Sequence, residues 1–309
     1  MDIRTIGGSG LVTPRLVLGG NVFGWTVKGE EGFAVLDRFA EAGGTLIDTA
    51  DVYSIWVPGH EGGESESLLG EWLKRGRARL RIATKVGYTA GLSAAHIAEA
   101  CDASLARLGV EAIDLYYAHK DDPETPLEET LGAFDALVRA GKVKAIGASN
   151  YSAERLAEAL AISEREGLAR FEVLQPEYNL MTREDFEGPL QALCVERGLG
   201  VLPYFGLAAG FLTGKYRSEA DFGKSLRGGR MAAYLDERGL GVLGALDEVA
   251  AEAGATPAQV ALAWLADRPG VTAPIASATS LAQLEELLGV LTLELSAAQM
   301  ERLSAASAP

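Results

Sequence analysis

Short apolar runs alternate with amphipathic segments along most of the chain. Between these runs, apolar residues recur three and four positions apart, as in Phe33, Leu36 and Phe39, which is the spacing of one face of a helix. Such alternation predicts right-handed βαβ crossovers and a parallel sheet whose outer face is covered by helices. Eight runs have strand character: residues 15–19, 45–48, 80–85, 113–119, 143–149, 171–175, 200–204 and 271–276.

Eight strand and helix units favour a closed barrel. The rival is an open doubly wound sheet, which usually carries a Gly-x-Gly-x-x-Gly turn after its first strand. Here the first strand is followed by "LGGNVFG" (18–24), and no matching helix start follows it. No linker composition, repeat or low-complexity tract divides the chain. The sequence therefore predicts an α/β fold with one domain over residues 1–309, a (β/α)8 TIM barrel.

Glycines and capping residues predict the elements outside the repeat. "DIRTI" and "LVTPR" around "GGSG" (2–15) predict an N-terminal β-hairpin, because glycine supplies the positive φ of a tight turn. Thr125-Pro126 and Thr256-Pro257 have the pattern of helix starts, and Ser296 with Gln299 predicts a C-terminal helix.

Two connections, 50–63 and 205–241, are long enough to predict functional loops on the C-terminal rim of the barrel. The uncharged stretch 198–214 contains five glycines and a proline, and it is slightly short for a spanning helix. We interpret it as a buried strand followed by a loop.

Charge and cysteine content exclude several classes of protein. The chain has a formal net charge of −15, whereas binding to nucleic acid requires clustered Lys and Arg. Cys101 and Cys194 lie in apolar helical patterns, so we expect two buried thiols and neither a disulfide framework nor a metal site. The amino terminus shows no secretory signal, so a cytoplasmic protein without a membrane segment is expected.

Polar residues follow the ends of three consecutive predicted strands. Asp48 ends the second strand within "DTADVY" (48–53), with Tyr53 at the end of that hexapeptide, while Lys85 and His119 end the third and fourth. Because parallel strands of a barrel finish on the same side, these side chains are expected on one rim.

These four residue types suit the polarisation of a carbonyl group. A phenol with a pKa near 10 donates a proton poorly unless a cation stabilises its phenolate, and Lys85 is the candidate cation for Tyr53. Asp48 would keep Lys85 charged, and His119 would hydrogen-bond a carbonyl oxygen. The alternative is a Schiff-base aldolase, which requires a partly neutral Lys85.

The motifs "DTADVY", "ATKVG" (83–87), "YYAHKDD" (116–122) and "GASN" (147–150) resemble the aldo-keto reductase superfamily, and the resemblance covers nearly the whole chain. It implies an NAD(P)H-dependent enzyme that reduces an aldehyde or ketone. Tyr53 would be the proton donor, tuned by Lys85 and Asp48, and His119 would orient the substrate. Some members of this superfamily are non-enzymatic, nicotinamide-sensing partner subunits, and this alternative stays open.

The resemblance also implies a cofactor site. Ser149, Asn150 and Gln175 would face the nicotinamide carboxamide, and Tyr204 would stack on its ring. The other implied cofactor residues are Asp48; Gly20, Asn21 and Val22 after the first strand, where the backbone could come close; Phe205 and Gly206, followed by Leu207, Ala209, Gly210, Leu212 and Lys215 in the loop that folds over the pyrophosphate; and Ser277, Ala278, Thr279 and Gln283 near the 2′-phosphate.

Two departures from the family pattern lie in the implied cofactor site, and the second of them bears on cofactor choice. Phe205-Gly206 stands where the family usually has Ser-Pro, which removes a hydroxyl near the phosphates. Ser277 and Gln283 are neutral where many NADPH-preferring members have basic residues. We therefore expect a mild preference for NADPH over NADH.

Aromatic residues near the expected acid suggest a substrate pocket. It would be formed by Trp25, Trp56, Tyr53 and His119 and would suit an aldehyde, a ketone or a sugar-like carbonyl compound. His60 and Tyr234 lie in the two long loops and are candidate neighbours of this pocket. The sequence shows no pattern typical of a subunit interface, so it makes no prediction of the oligomeric state.

Overall fold

The computed structural model describes residues 2–76, 80–224 and 228–309. The hairpin is confirmed and consists of the antiparallel strands β1 and β2. Eight parallel strands follow in one sheet, in the order β10-β3-β4-β5-β6-β7-β8-β9. The strands are β1 (Arg4–Thr5), β2 (Val12–Thr13), β3 (Val17–Gly19), β4 (Leu46–Asp48), β5 (Arg81–Val86), β6 (Ile113–Ala118), β7 (Val143–Ser149), β8 (Phe171–Gln175), β9 (Gly200–Val201) and β10 (Ile275–Ala276).

The sheet closes between β9 and β10. The backbone N–H of Ile275 donates to the carbonyl of Pro203 over 2.8 Å, and that of Thr272 donates to Val201 over 2.8 Å. Both strands are shorter than predicted because Pro203 and Pro274 have no N–H with which to continue a ladder. The closed parallel arrangement confirms the predicted (β/α)8 barrel and excludes the open sheet.

Ten α-helices are found in the described residues. The paired caps Thr256 with Gln259 and Ser296 with Gln299 are confirmed. The cap expected at Thr125 is wrong: the helix begins after Pro126, and the Thr125 hydroxyl donates instead to Asp122 Oδ2 over 2.7 Å. The helices are α1 (Gly29–Glu41), α2 (Glu64–Leu73), α3 (Ala94–Leu108), α4 (Leu127–Arg139), α5 (Ala153–Glu166), α6 (Pro189–Arg197), α7 (Glu237–Ala253), α8 (Pro257–Ala266), α9 (Leu281–Leu288) and α10 (Ala297–Ala306).

The core has an inner and an outer layer. The inner cluster fills the barrel and includes Leu115 and Val173, with Ile6 of the hairpin region below them. The outer cluster lies between sheet and helices and contains both cysteine thiols, which are buried and free as predicted. Since the barrel is filled by side chains, a ligand site is expected on its rim. The single domain over residues 1–309 stays a prediction.

The long connection after β9 contains regular structure. Three 3₁₀-helices, Ala208–Thr213, Glu219–Lys224 and Gly228–Tyr234, precede α7, so this connection ends at Glu237 and not near residue 241. Phe205, Ala208 and Ala209 have φ values of 54°, 46° and 55°. Residues other than glycine rarely adopt a positive φ. Backbone strain of this kind is concentrated at functional loops.

No helix in the described parts of the chain is both long and apolar enough to cross a membrane.

Candidate active site

The Lys85 side chain lies at the centre of the rim site. Its Nζ atom donates to Asp48 Oδ2 over 2.6 Å, to the Thr49 carbonyl over 2.7 Å and to the Tyr53 hydroxyl over 2.9 Å. An ammonium group has three N–H donors, and here each has an acceptor. Because the Tyr53 oxygen accepts from Lys85, its own proton is left to donate, either to Asp48 Oδ2 at 3.4 Å or to a substrate.

The contacts of Lys85 with Asp48 and Tyr53 result from the register of two strands and from one tight turn. Asp48 pairs with Ala83, so Lys85 lies two residues further along the neighbouring strand, on the same side of the sheet. The chain then turns, with the Tyr53 N–H donating to the Ala50 carbonyl over 3.3 Å. Ser54 follows with a φ of 73°. This turn allows an acid at a strand end and a tyrosine five residues later to contact one lysine.

Burial and charge set the protonation states of this group. Burial, followed by the Asp48 carboxylate, raises the pKa of Tyr53 well above its usual value. Burial lowers the pKa of Lys85, and Asp48 opposes this effect. Tyr53 is therefore protonated at neutral pH, which is the form a proton donor requires. The ion pair of 2.6 Å favours a charged Lys85.

His119 is neutral in this site. Burial, together with the positive charge of Lys85, lowers its pKa to about 2. Its backbone N–H donates to Val86 over 2.8 Å, and its ring centroid lies 6.1 Å from that of Tyr53. A neutral imidazole keeps one N–H donor, so His119 can hydrogen-bond a carbonyl oxygen without competing as the acid.

A cavity of about 840 Å³ opens above these residues. Most residues that the sequence assigned to a cofactor line it. Gly20, Leu212 and Ala278 do not: Leu212 and Ala278 are fully buried in the outer core, and Gly19 lines the cavity in place of Gly20. The assigned residues that do line it are Asn21, Val22, Asp48, Ser149, Asn150, Gln175, Tyr204, Phe205, Gly206, Leu207, Ala209, Gly210, Lys215, Ser277, Thr279 and Gln283.

Hydrogen bonds connect the assigned nicotinamide residues to Asp48. Gln175 Nε2 donates to Asp48 Oδ1 over 2.8 Å, and the Ser149 hydroxyl donates to the Gln175 carbonyl over 2.8 Å. Asn150 Nδ2 donates to Ser149 Oγ over 3.0 Å, and the Tyr204 hydroxyl donates to Asn150 Oδ1 over 2.7 Å. The ends of β7, β8 and β9 are thereby tied to the acid that holds Lys85.

The cavity residues that follow β10 are polar and largely neutral. Ser277 Oγ donates to Asn21 Oδ1 over 2.6 Å, and Gln283 Oε1 accepts from the Thr279 hydroxyl over 2.8 Å. Lys215 also lines the cavity, as does the carboxylate-bearing residue Glu286, which sequence reasoning did not single out.

The mouth of the cavity is aromatic. Trp25 and Trp56 both line it, with ring centroids 5.9 Å apart, and Tyr53 lies 6.2 Å from Trp56. Tyr88 was missed by sequence reasoning, although it follows strand β5 on the same rim. Its ring lies 4.8 Å from that of His119, and 48% of the residue is exposed. Ile55 and Phe205 complete this apolar rim.

Two other candidates from the long loops lie elsewhere. The Tyr234 ring packs against Phe211 at 5.2 Å, and His60 Nδ1 lies 3.6 Å from Glu64 Oε1. Neither residue lines the cavity.

Within the described residues, no group of three or more His, Cys, Asp or Glu side chains is arranged to hold a metal ion.

The site combines a protonated phenol, a neighbouring ammonium and a neutral imidazole beside a large cavity. This arrangement can place a proton on an electron-rich oxygen.

Comparison with known proteins assigns this arrangement to a family. The sequence profile of the aldo/keto reductase family matches residues 15–308. The chain is 34% identical to L-glyceraldehyde 3-phosphate reductase of Escherichia coli, over 93% of this chain and 86% of that protein. It is 33% identical to a putative voltage-gated potassium channel subunit beta of Schizosaccharomyces pombe, over 93% and 87%. It is also 32% identical to the aldo-keto reductase yakc [NADP(+)] of that yeast, over 87% and 80%. The chain belongs to the aldo/keto reductase family, and it is an oxidoreductase of that family by sequence, fold and the geometry of its rim.

Proposed function

We propose that the protein reduces an aldehyde or a ketone to the alcohol, reversibly, at the expense of NADPH or NADH. The observation that carries this proposal is the 2.9 Å contact between Lys85 Nζ and the Tyr53 hydroxyl. Tyr53 gives its proton to the carbonyl oxygen, and the Lys85 ammonium stabilises the phenolate that remains. His119 donates a hydrogen bond to the same oxygen and orients it.

The residues of the cavity fit a nicotinamide dinucleotide. Amide and hydroxyl groups of Ser149, Asn150 and Gln175 line it, and so does the cationic side chain of Lys215. A Cβ atom built on Gly210 would meet nothing within 4 Å, and its φ is 107°. The backbone there is open to a phosphate group. When bound, the nicotinamide supplies the hydride that the carbonyl carbon gains.

Turnover with a panel of reactive aldehydes and ketones tests the proposal. We expect loss of reduced-nicotinamide absorbance with at least one nicotinamide, and nucleotide binding in a parallel titration. Binding without turnover of any panel member would overturn the proposal.

A cofactor-sensing partner subunit is the second candidate. It is favoured by the similarity to proteins named as potassium channel subunits beta in Schizosaccharomyces pombe and Arabidopsis thaliana. Such a subunit would bind nucleotide but turn over aldehydes only very slowly. The complete arrangement of Tyr53, Lys85 and His119 weighs against it.

A Schiff-base aldolase is disfavoured by the contacts of Lys85. All three donors of its ammonium group have acceptors, and one of them is the Asp48 carboxylate. Such pairing keeps the amine protonated and therefore not nucleophilic. We expect no trapping of Lys85 by borohydride in the presence of a carbonyl compound.

The charges of four residues that line the cavity lead to an expectation about cofactor preference. Ser277 and Gln283 are neutral, and Glu286 adds a carboxylate, whereas Lys215 is a cation. A cationic grip on the 2′-phosphate is therefore weak, and kcat/KM with NADPH should exceed that with NADH by no more than about tenfold. Steady-state kinetics with both cofactors and one aldehyde measures this ratio. A preference of about a thousandfold would contradict it.

A further inference from the structure

A second group of carboxylates lies behind the proposed catalytic residues. Asp51 is three residues beyond Asp48, and its backbone N–H donates to the carbonyl of Lys85 over 3.3 Å. Its Oδ1 atom is shielded from solvent and accepts no hydrogen bond from the described residues. A buried carboxylate oxygen without a donor is costly to the folded state. The reaction outlined above does not use it.

Glu66 supplies the second carboxylate of this group. It is fully buried, and its Oε1 atom accepts from the hydroxyl of Thr84, the residue before Lys85, over 2.6 Å. Its Oε2 atom accepts from Arg107 Nε over 2.7 Å. Glu66 is thus fully engaged, whereas the Asp51 oxygen beside it is not.

The charged and titratable groups around Asp51 come from four elements. They are Glu66 on α2, Arg107 on α3, Lys85 on β5 and Tyr116 on β6. Burial raises the pKa of Asp51 from 3.8 to about 7, and Glu66 adds to this rise, while Arg107 and Lys85 oppose it. In the other direction, both carboxylates raise the pKa of Lys85.

We propose that Asp51 is a positioning residue for carbonyl reduction: with Glu66 it supplies negative charge that keeps Lys85 protonated, and thereby keeps Tyr53 able to donate its proton, above neutral pH. This inference rests on the proposed function. Its physical basis is that burial disfavours the ammonium form of Lys85. The ion pair with Asp48 opposes this effect, and further negative charge nearby adds to that opposition. An aspartate that costs stability is then retained for its charge.

The linkage between protonation and folding gives this idea a readout besides activity. Because the pKa of Asp51 is raised in the folded state, the folded protein binds its proton more tightly than the unfolded chain does. Ionising Asp51 therefore removes stability as the pH rises from about 4 to about 7. An asparagine at this position has the same size and carries no charge, so it escapes this loss.

The test uses Asp51→Asn in the full-length chain, with Glu252→Gln as matched control. Glu252 is a half-exposed carboxylate on α7 that pairs with Arg302, so its substitution makes the same change in net charge. Two quantities are measured: the pH profile of kcat for aldehyde reduction, and the melting temperature at pH 5 and pH 8. These two pH values lie below and above the pKa of Asp51, which is about 7.

We expect the profiles of Asp51→Asn and wild type to coincide below about pH 6 and the alkaline limb of the variant to move to lower pH by on the order of one unit. The melting temperature of the variant should exceed that of wild type at both pH values, and by more at the higher pH than at the lower, because the loss accrues from about pH 4 to about pH 7. Glu252→Gln should show neither effect. An unchanged pH profile, or a lower melting temperature at both pH values, would overturn the inference.

Failure of the proposed function is distinguishable from failure of this inference. If the wild-type protein reduces no member of the aldehyde panel, the function is wrong and the catalytic role of Asp51 fails with it. The melting temperatures then still report whether ionisation of Asp51 costs the folded state stability. If wild type turns over and the variant keeps its alkaline limb, only the role of Asp51 fails.

Discussion

Replacing Tyr53 with phenylalanine is expected to lower kcat for aldehyde reduction by about 10²- to 10⁴-fold, which is the usual contribution of a positioned proton donor. The ring remains, so its contact with Trp56 and the affinity for nicotinamide nucleotide should be kept. Steady-state kinetics and a nucleotide titration measure the two effects separately. The loss follows from the position of the hydroxyl, 2.9 Å from Lys85 and beside the cavity.

Tyr151→Phe is the matched control for this variant. Tyr151 is buried against Phe171 in the outer core, and its hydroxyl has no hydrogen-bond partner in the described residues. Removing that hydroxyl should leave kcat at the wild-type value. A Tyr53→Phe enzyme that turns over as fast as the control would eliminate Tyr53 as the acid and with it the proposed mechanism.

Lys85→Met is expected to lose both activity and stability. The side chain of Lys85 is 1% exposed and that of Asp48 is 3% exposed, so the substitution leaves a buried carboxylate with its cation removed. Breaking a buried pair from one side costs about 3–5 kcal/mol. Reduction should fall by at least about 10²-fold, because the phenolate of Tyr53 loses the cation that stabilises it. Chemical denaturation and steady-state kinetics measure the two losses.

Two further variants separate the losses caused by Lys85→Met. Lys142→Met breaks a surface pair with Asp102, whose side chain is 58% exposed, and should reduce stability far less than Lys85→Met does. The double variant Lys85→Met/Asp48→Asn removes both charges and should regain stability without regaining activity. If the single variant is as stable as wild type, Lys85 and Asp48 do not form the buried pair described above. If it keeps wild-type kcat, Lys85 has no part in the reaction.

The hydrophobic pattern by itself predicted the barrel, because the periods of strands and helices are local properties of the chain. The clearest errors in the elements arose where a proline or a competing side chain intervened. β9 ends early, before Pro203, β10 begins late, after Pro274, and Asp122 accepts from the hydroxyl that was expected to cap α4. Each error involves a hydrogen bond that the pattern of apolar positions does not encode.

The rim residues illustrate a similar division. That Asp48, Lys85 and His119 lie on one edge follows from the sequence, since parallel strands of a barrel end on the same side. Cofactor residues in loops were harder to place. Leu212 and Ala278 match the family pattern but turn into the core, whereas Tyr88 and Glu286 reach the cavity without any motif to mark them.

The sequence alone determined the fold class, the family and the set of side chains available at the rim. The tertiary structure decided which atoms meet: Gln175 reaches Asp48 from 127 positions away, and the turn "DTADVY" brings Tyr53 to Lys85 while the Oδ1 atom of Asp51 is left without a hydrogen bond from the described residues. The reason is physical. Periodicity is encoded by neighbouring residues, whereas distances of a few ångströms between strands depend on register, on loop dihedrals such as that of Ser54, and on packing of the whole barrel.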